Sequence, residues 1–498
     1  MRSIHHIALA ALVLALGACA STGDWRQGAP DVEACLDDYA AIDRTVKQAG
    51  TRDAEYARIE GFPYFRIDRF LASYDFKSFE PAERTAWIDR LVARDLDGRR
   101  VEIGNLPPGD RQTLDAQLGG DATQRVTQCS TILRAHDHRQ KPAHKALPPR
   151  ARVPDHYSSA LRLAGFYPLS ALAVNIGFSR WKAGYLPVFD QTPESLPVAG
   201  RLTTFAPDDQ RTVTPAQIIA LVDASRGNAL NIPEPEGADA AALIAAFAPV
   251  WQVDVVSDDD LIGTPAWRGG ETVVNTGQPR TYTRFSTTHW QGQILLQINY
   301  MIWFPARPKQ GAFDALGGHM DGVTWRVTIG PDGRPLAYDA IHNCGCYHLF
   351  FPTPGLRAKP ATRPSPYYEG TVIAATAPAP SADERLVIRL ASVSHYLQHV
   401  GIWQGQSDAT YPFADYHDLR RLPAGERTRS LFGTDGIVKG TERGERYWLW
   451  AMGIKNPGAM RQWGNHATAF VGRRHFDDPW LLEKTFDPAT SDLAGSAP

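Results

Sequence analysis

The sequence predicts an α+β chain, with a helical N-terminal domain followed by a β-rich, antiparallel C-terminal domain. Two patterns carry that prediction. Val32, Cys35, Tyr39 and Ile42 recur at steps of three and four, as do Trp87, Leu91 and, one step on, Leu96, which is the spacing of one buried helix face. After Trp251 the period becomes two. Ile294, Leu296, Ile298, Tyr300, Ile302 and Phe304 share one face of Gln293–Phe304, with Gln293, Gln297 and Asn299 on the other. Val323, Trp325, Val327 and Ile329 alternate in the same way with Thr324, Arg326 and Thr328. Such alternation is the signature of half-buried antiparallel strands. An apolar content of 43% and a charged content of 21% are ordinary for a globular chain and exclude wholesale disorder. A net charge of −2 with no Lys/Arg-rich run excludes a surface built for nucleic acid.

In chain order, residues 1–19 read as a leader, 20–30 as a tether, 31–145 as a helical domain, 146–250 as linker and helical segment, and 251–498 as the β-rich domain. A Lys/His/Pro-rich passage from His136 to Pro154 reads as a linker. Leu163–Phe178 is the most apolar stretch after the leader; its length favours a buried helix pair over a segment lying on a membrane. Thr203–Val250 reads as short helices, one starting at Thr214-Pro215-Ala216-Gln217 with proline in its first turn. Leu386–Leu390 and Tyr447–Met452 read as further strands.

The leader has a basic start at Arg2, an apolar run from Ile7 to Leu16 and a small-residue end at Leu16-Gly17-Ala18-Cys19. This end resembles the lipobox of bacterial lipoproteins. The resemblance implies that Cys19 is acylated and becomes the mature N-terminus. Ala20, where an Asp would resemble an inner-membrane retention signal, points to the outer membrane and its periplasmic face.

Of five cysteines, Cys19 is then lipidated and four remain in an oxidising compartment. Cys35 and Cys129 read as a disulfide stapling the helical domain, the simplest pairing available. Cys344 and Cys346 flank a single glycine in His342-Asn343-Cys344-Gly345-Cys346-Tyr347-His348, a palindrome of potential ligands. In an extended strand His342, Cys344, Cys346 and His348 project to one side, and Gly345 offers a bend that could gather them.

The turn Gly330-Pro331-Asp332-Gly333 sharpens the expectation. Pairing Ile329 with Arg334 sets Trp325 opposite Tyr338, Asp321 opposite His342 and His319 opposite Cys344. Imidazole and thiolate together suit a divalent metal, zinc first, with His319, His342, Cys344, Cys346 and His348 as ligands and Asp321 as base. The other reading is a tight Cys344–Cys346 disulfide with core histidines. A third uses one thiol as nucleophile, with Asn465-His466 or His475 completing the arrangement. His395 and His399 follow a strand-like run and give a weak ligand pair; Asp258-Asp259-Asp260 lacks the spacing of a calcium loop and reads as a solvated turn.

The function these features imply is an outer-membrane lipoprotein with a metal-dependent hydrolase acting on an envelope substrate. The alternative is a non-catalytic envelope protein that binds a glycan, a lipid or another protein, its cysteine pair being structural.

Overall fold

The computed structural model describes residues 24–26, 28–360 and 365–489, so Cys19 lies outside the described residues. Helix α1 (Pro30–Ala49) opens on proline and closes at Gly50, whose φ of 66° ends the helix in the left-handed conformation. It buries the predicted stripe of Val32, Cys35, Tyr39 and Ile42. A hairpin of β1 (Ala57–Ile59) and β2 (Phe62–Ile67) then interrupts the expected run of helix. Helices α2 (Pro81–Gly104), α3 (Pro108–Leu118) and α4 (Ala122–His138) complete the bundle around Trp87, Leu91, Leu114 and Leu133.

Cys35 and Cys129 are disulfide-bonded across α1 and α4, 94 residues apart. Replacing either by alanine is expected to cost about 2–5 kcal/mol. Denaturant unfolding checks this, and a non-reducing peptide map finding either thiol free would refute the bond.

The expected linker is corrected. Helix α4 runs on to His138, and α5 (Lys141–Arg150) follows, docked through Ala143 and Leu147. Two apolar residues four apart outweigh a composition typical of loops. Leu163–Phe178 forms a helix pair, α6 (Ser159–Ala164) and α7 (Tyr167–Tyr185), yet among their residues only Ala171 is buried. The expectation of burial therefore fails. Among the described residues, no helix is long and apolar enough to cross a membrane.

Next comes β3 (Arg201–Pro207), a strand where a helix was expected. Helix α8 (Pro215–Ala224) starts as predicted, with Thr214 and Gln217 capping each other's backbone N–H groups. It is followed by α9 (Gly237–Ala246) and β4 (Val250–Val255).

The β region continues with β5 (Thr264–Arg268), β6 (Glu271–Asn275), β7 (Thr281–Trp290), β8 (Gln293–Arg307), β9 (Gly318–Ile329), β10 (Pro335–His342) and β11 (Leu349–Pro352). After these come β12 (Val372–Ile373), β13 (Leu386–Leu390), β14 (Leu397–Ile402), β15 (Ala409–Tyr411) and β16 (Phe413–Asp415). A seven-stranded sheet has the order β12-β11-β10-β9-β8-β7-β16, and a five-stranded sheet the order β14-β13-β4-β3-β15. The run from β11 to β7 is antiparallel throughout. The short edge strands β12, β15 and β16 pair parallel.

The apolar face read from the alternation is the one that packs. Ile298, Tyr300, Ile302, Val323, Trp325 and Val327 meet Trp251, Val253 and Ile388 of the smaller sheet in one core. Full burial of each such side chain contributes about 1.5–3 kcal/mol. The polar face is covered too, which the pattern did not foretell. Asn299 is buried and donates to Arg284 O and Ser286 Oγ, and Gln297 donates to Thr328 Oγ1.

The turn at Gly330–Gly333 forms, with Gly333 N–H donating to Gly330 O. The register beyond it is corrected. Ile329 pairs with Pro335, one position beyond Arg334, and an irregularity between Pro335 and Ala337 adds a second step, so Trp325 faces Ala340 and Val323 faces His342. An even displacement keeps every side chain on its face, which is why the apolar core survives it. Tyr447–Met452 is also corrected. It is a short helix, α10 (Arg446–Leu449), running into a single 3₁₀ turn at Trp450–Met452.

Candidate functional site

The chain turns sharply at the end of β10. His342 N–H donates to Cys346 O and Gly345 N–H to His342 O, with Gly345 at φ 92°. A Cβ there would lie 2.8 Å from Ala467 O, so only glycine fits this bend. The bend scatters the expected ligands instead of gathering them. His319 is exposed at the start of β9, its Nε2 2.8 Å from Thr272 O. His348 is buried, with Nε2 2.8 Å from Asp339 and Nδ1 3.2 Å from Thr468 Oγ1. Asp339 is in turn clamped by Arg326 at 2.9 and 2.6 Å. Both nitrogens of His348 are thus taken, and burial pushes it down to about 4, making it a neutral core histidine.

Cys344 and Cys346 are buried free thiols, and Cys346 N–H points at Cys344 Sγ 3.4 Å away. The Cys344 contact and then burial raise the Cys346 thiol well above its ordinary value. A nucleophile needs the opposite shift. Nor does the third arrangement form: His466 bonds the backbone of Asn343 and Arg461, Asn465 donates to Ala54 O and Trp463 O, and His475 leans toward Asp155 at 3.4 Å. Among the described residues, the one set of three His, Cys, Asp or Glu side chains within reach of a single ion is Cys35, Asp38 and Cys129, and two of these form the disulfide. The expected zinc set is therefore not assembled.

What does converge is a buried chain of two carboxylates and two imidazoles. Asp321 Oδ2 lies 2.9 Å from His395 Nδ1 and Asp321 Oδ1 lies 3.5 Å from His342 Nδ1. The far nitrogen of His395 lies 3.3 Å from Asp260 Oδ1, and Arg443 approaches Asp321 at 3.8 Å. Phe304 stacks flat on His395, with ring centroids 3.8 Å apart. Burial alone would lower His395; the carboxylates of Asp260 and Asp321 outweigh it and raise its pKa. Burial would raise Asp321; His342 and His395 hold it well below the carboxylate range. At His342 burial wins over Asp321 and lowers its pKa. The His342 Nε2 has no hydrogen-bond partner, and the rings of Tyr347 and Tyr396 stand edge-on to it at 5.0 and 5.6 Å. Nearby, burial pushes Glu445 up to about 7 against Arg443, Arg307 and Arg461.

Two of the four, Asp321 and His342, were among the expected residues. Asp260 and His395 were not. Asp260 closes a one-turn 3₁₀ helix where Asp258 is exposed and Asp259 half-buried, and His395 follows the turn at 392–394 with φ 51°. No local signal marks them: Asp260 ends the acidic run Ser257-Asp258-Asp259-Asp260 and His395 follows Ser392-Val393-Ser394, both of which read as solvated turns.

Two cavities lie elsewhere in the fold, lined by none of these four residues. One, of 270 Å³, is lined by Phe178, Trp181, Cys346, Tyr347, Tyr396 and Leu449. The other, a cleft of 730 Å³, lies between the helical layer and the polar face of β7 and β8. It is lined by Arg69, Phe70, Arg94, Arg284, Gln297 and Trp463, among others. Its guanidiniums are already matched, Arg69 to Asp477 at 3.0 Å, Arg94 to Asp68 at 2.9 Å and Arg284 to Glu55 at 2.6 Å. Comparison of the sequence with protein-family models and curated proteins, and of the fold with solved structures, finds no match.

Proposed function

We propose that this chain is a lipid-anchored protein of the outer membrane, facing the periplasm, that binds an envelope glycan in the 730 Å³ cleft. The cleft's size, its distance in sequence from the His/Cys segment and its lining support this reading. Paired guanidiniums and carboxylates offer fixed donors and acceptors, and Phe70 offers a half-buried ring. That is the complement of a neutral polyhydroxylated ligand. Neutral oligosaccharides are expected to bind the purified protein in calorimetric titration, and Phe70→Ala to weaken binding about ten-fold, the loss of one ring contact. Failure of neutral oligosaccharides to bind at millimolar concentration would overturn the reading.

The anchor has its own test. Cys19→Ala is expected to leave an unprocessed precursor without lipid. Normal size and normal membrane fractionation of that variant would dispose of it.

A second reading is favoured by one observation, the unpartnered Nε2 of His342 with Asp321 behind it, a base's geometry. In this reading Asp321 orients His342 as a general base.

A further inference from the structure

We infer that the outward face of α6 and α7, with the aromatic residues of α10, is a seat for a phospholipid bilayer surface, separate from the lipid anchor. Leu163, Phe166 and Leu169 are 83%, 75% and 70% exposed, and Ile176 is also open to solvent. Tyr447 and Trp448 stand exposed beside them, Trp448 at 74%. The elements are neighbours: Ala171 of α7 shares a cluster with Ala451 and Met452, and Arg162 of α6 donates to Met452 O. Monomeric soluble proteins rarely leave so many large apolar side chains open on adjoining elements, and such a patch marks an interaction surface.

Charge selects the occupant. From His156 to Phe189 the sequence holds no Asp or Glu, and its charged residues are Arg162, Arg180 and Lys182. From Arg446 to Arg461 there is again no acid, although Lys455 is paired with Asp435 at 2.6 Å. A chain of net charge −2 thus keeps acids out of two neighbouring apolar segments and leaves them Arg180, Lys182 and Arg446 as cations. Apolar residues with Lys/Arg at the flanks and Tyr/Trp at the edge are the composition of a segment lying in the interface of an anionic bilayer. Helix α7 lies along such a surface, since it does not meet the requirements of a crossing helix. The tether is consistent with this. From Cys19 to Asp24 the chain can span at most roughly 18 Å, so an acylated protein is held close to the bilayer.

The test uses protein beginning at Ala20, which carries no acyl chain, mixed with vesicles of phosphatidylethanolamine and phosphatidylglycerol. Sedimentation with these vesicles is expected, together with a blue shift of tryptophan emission. Vesicles of phosphatidylcholine alone should bind less. Leu169→Glu and Trp448→Glu are each expected to weaken vesicle binding by about ten-fold or more, with unchanged thermal unfolding because both sites are exposed. Absence of vesicle binding by the unsubstituted protein, or equal binding by both variants, would overturn the proposal. So would self-association abolished by Leu169→Glu without vesicle binding, which would make the face a contact between copies. The result is independent of the anchor and the cleft, whose failures Cys19→Ala and the oligosaccharide titration detect separately.

Discussion

Asp321→Ala is expected to lower the unfolding free energy by about 3–5 kcal/mol, the largest effect of any single substitution considered for this protein. The magnitude is that of breaking a buried ion pair by removing one partner. Asp321 is 2% exposed and faces His395, His342 and Arg443, so its loss leaves His395 with Asp260 alone and His342 Nδ1 with nothing. Asp321→Asn keeps the shape and an acceptor and should cost less. The pH dependence gives a second readout. His395 is raised in the folded state, so its contribution is fully present below its unfolded value of about 6.5 and is lost as pH rises through the raised value. Removing Asp321 removes much of that shift. The cost of Asp321→Ala should therefore be greater at pH 6 than at pH 9 in urea titrations followed by tryptophan fluorescence. A cost below about 1 kcal/mol, or one identical at both pH values, would refute the charged network.

The contrast between what the sequence displayed and what it concealed has a physical origin in the range of each signal. Period-two alternation in β8 and β9 is local, and it correctly named the residues that pack between the sheets. Register is less local. The turn at Gly330–Gly333 was legible, whereas the irregularity at Pro335–Ala337 was not, because nothing in a two-residue period reports an extra step in one strand. The palindrome around Gly345 misled for a related reason. Alternate residues share a side only while the strand lasts, and β10 ends at His342. The Asp260–His395–Asp321–His342 chain joins segments up to 135 residues apart, and each contributes one residue whose partner cannot be seen locally. Burial of Leu163–Phe178 was expected because the apolar stretch is short for a membrane segment, yet length and composition state only that an apolar contact is needed, not that this chain provides it.

Acidification should destabilise the fold well before its carboxylates titrate as a class. His348 and His466 are buried and pushed down to about 4 and about 3, and His156 to about 3, in each case first by burial. Unfolded, all three take up a proton near pH 6.5. Their folded values lie lower, so the stability they confer is complete above 6.5 and is lost as pH falls toward the folded values. Each contributes a slope of about 1.4 kcal/mol per pH unit within that window. Glu445 opposes them. Its folded value of about 7 exceeds its unfolded one, so the native state gains relative stability between pH 7 and about 4.5 with the same slope. His289, His342, His399 and His417 are lowered by burial as well, while Asp53, Glu369, Asp418 and Asp477 are raised by it and side with Glu445. With more histidines lowered than carboxyls raised, a net loss of stability is expected as pH falls from 6.5 to 4.5. Urea midpoints at pH 6.5 and 4.5 measure it, and His348→Gln, which cannot titrate, should flatten the slope by one proton. Stability that holds steady or rises over this interval would mean that these histidines are not neutral in the folded protein.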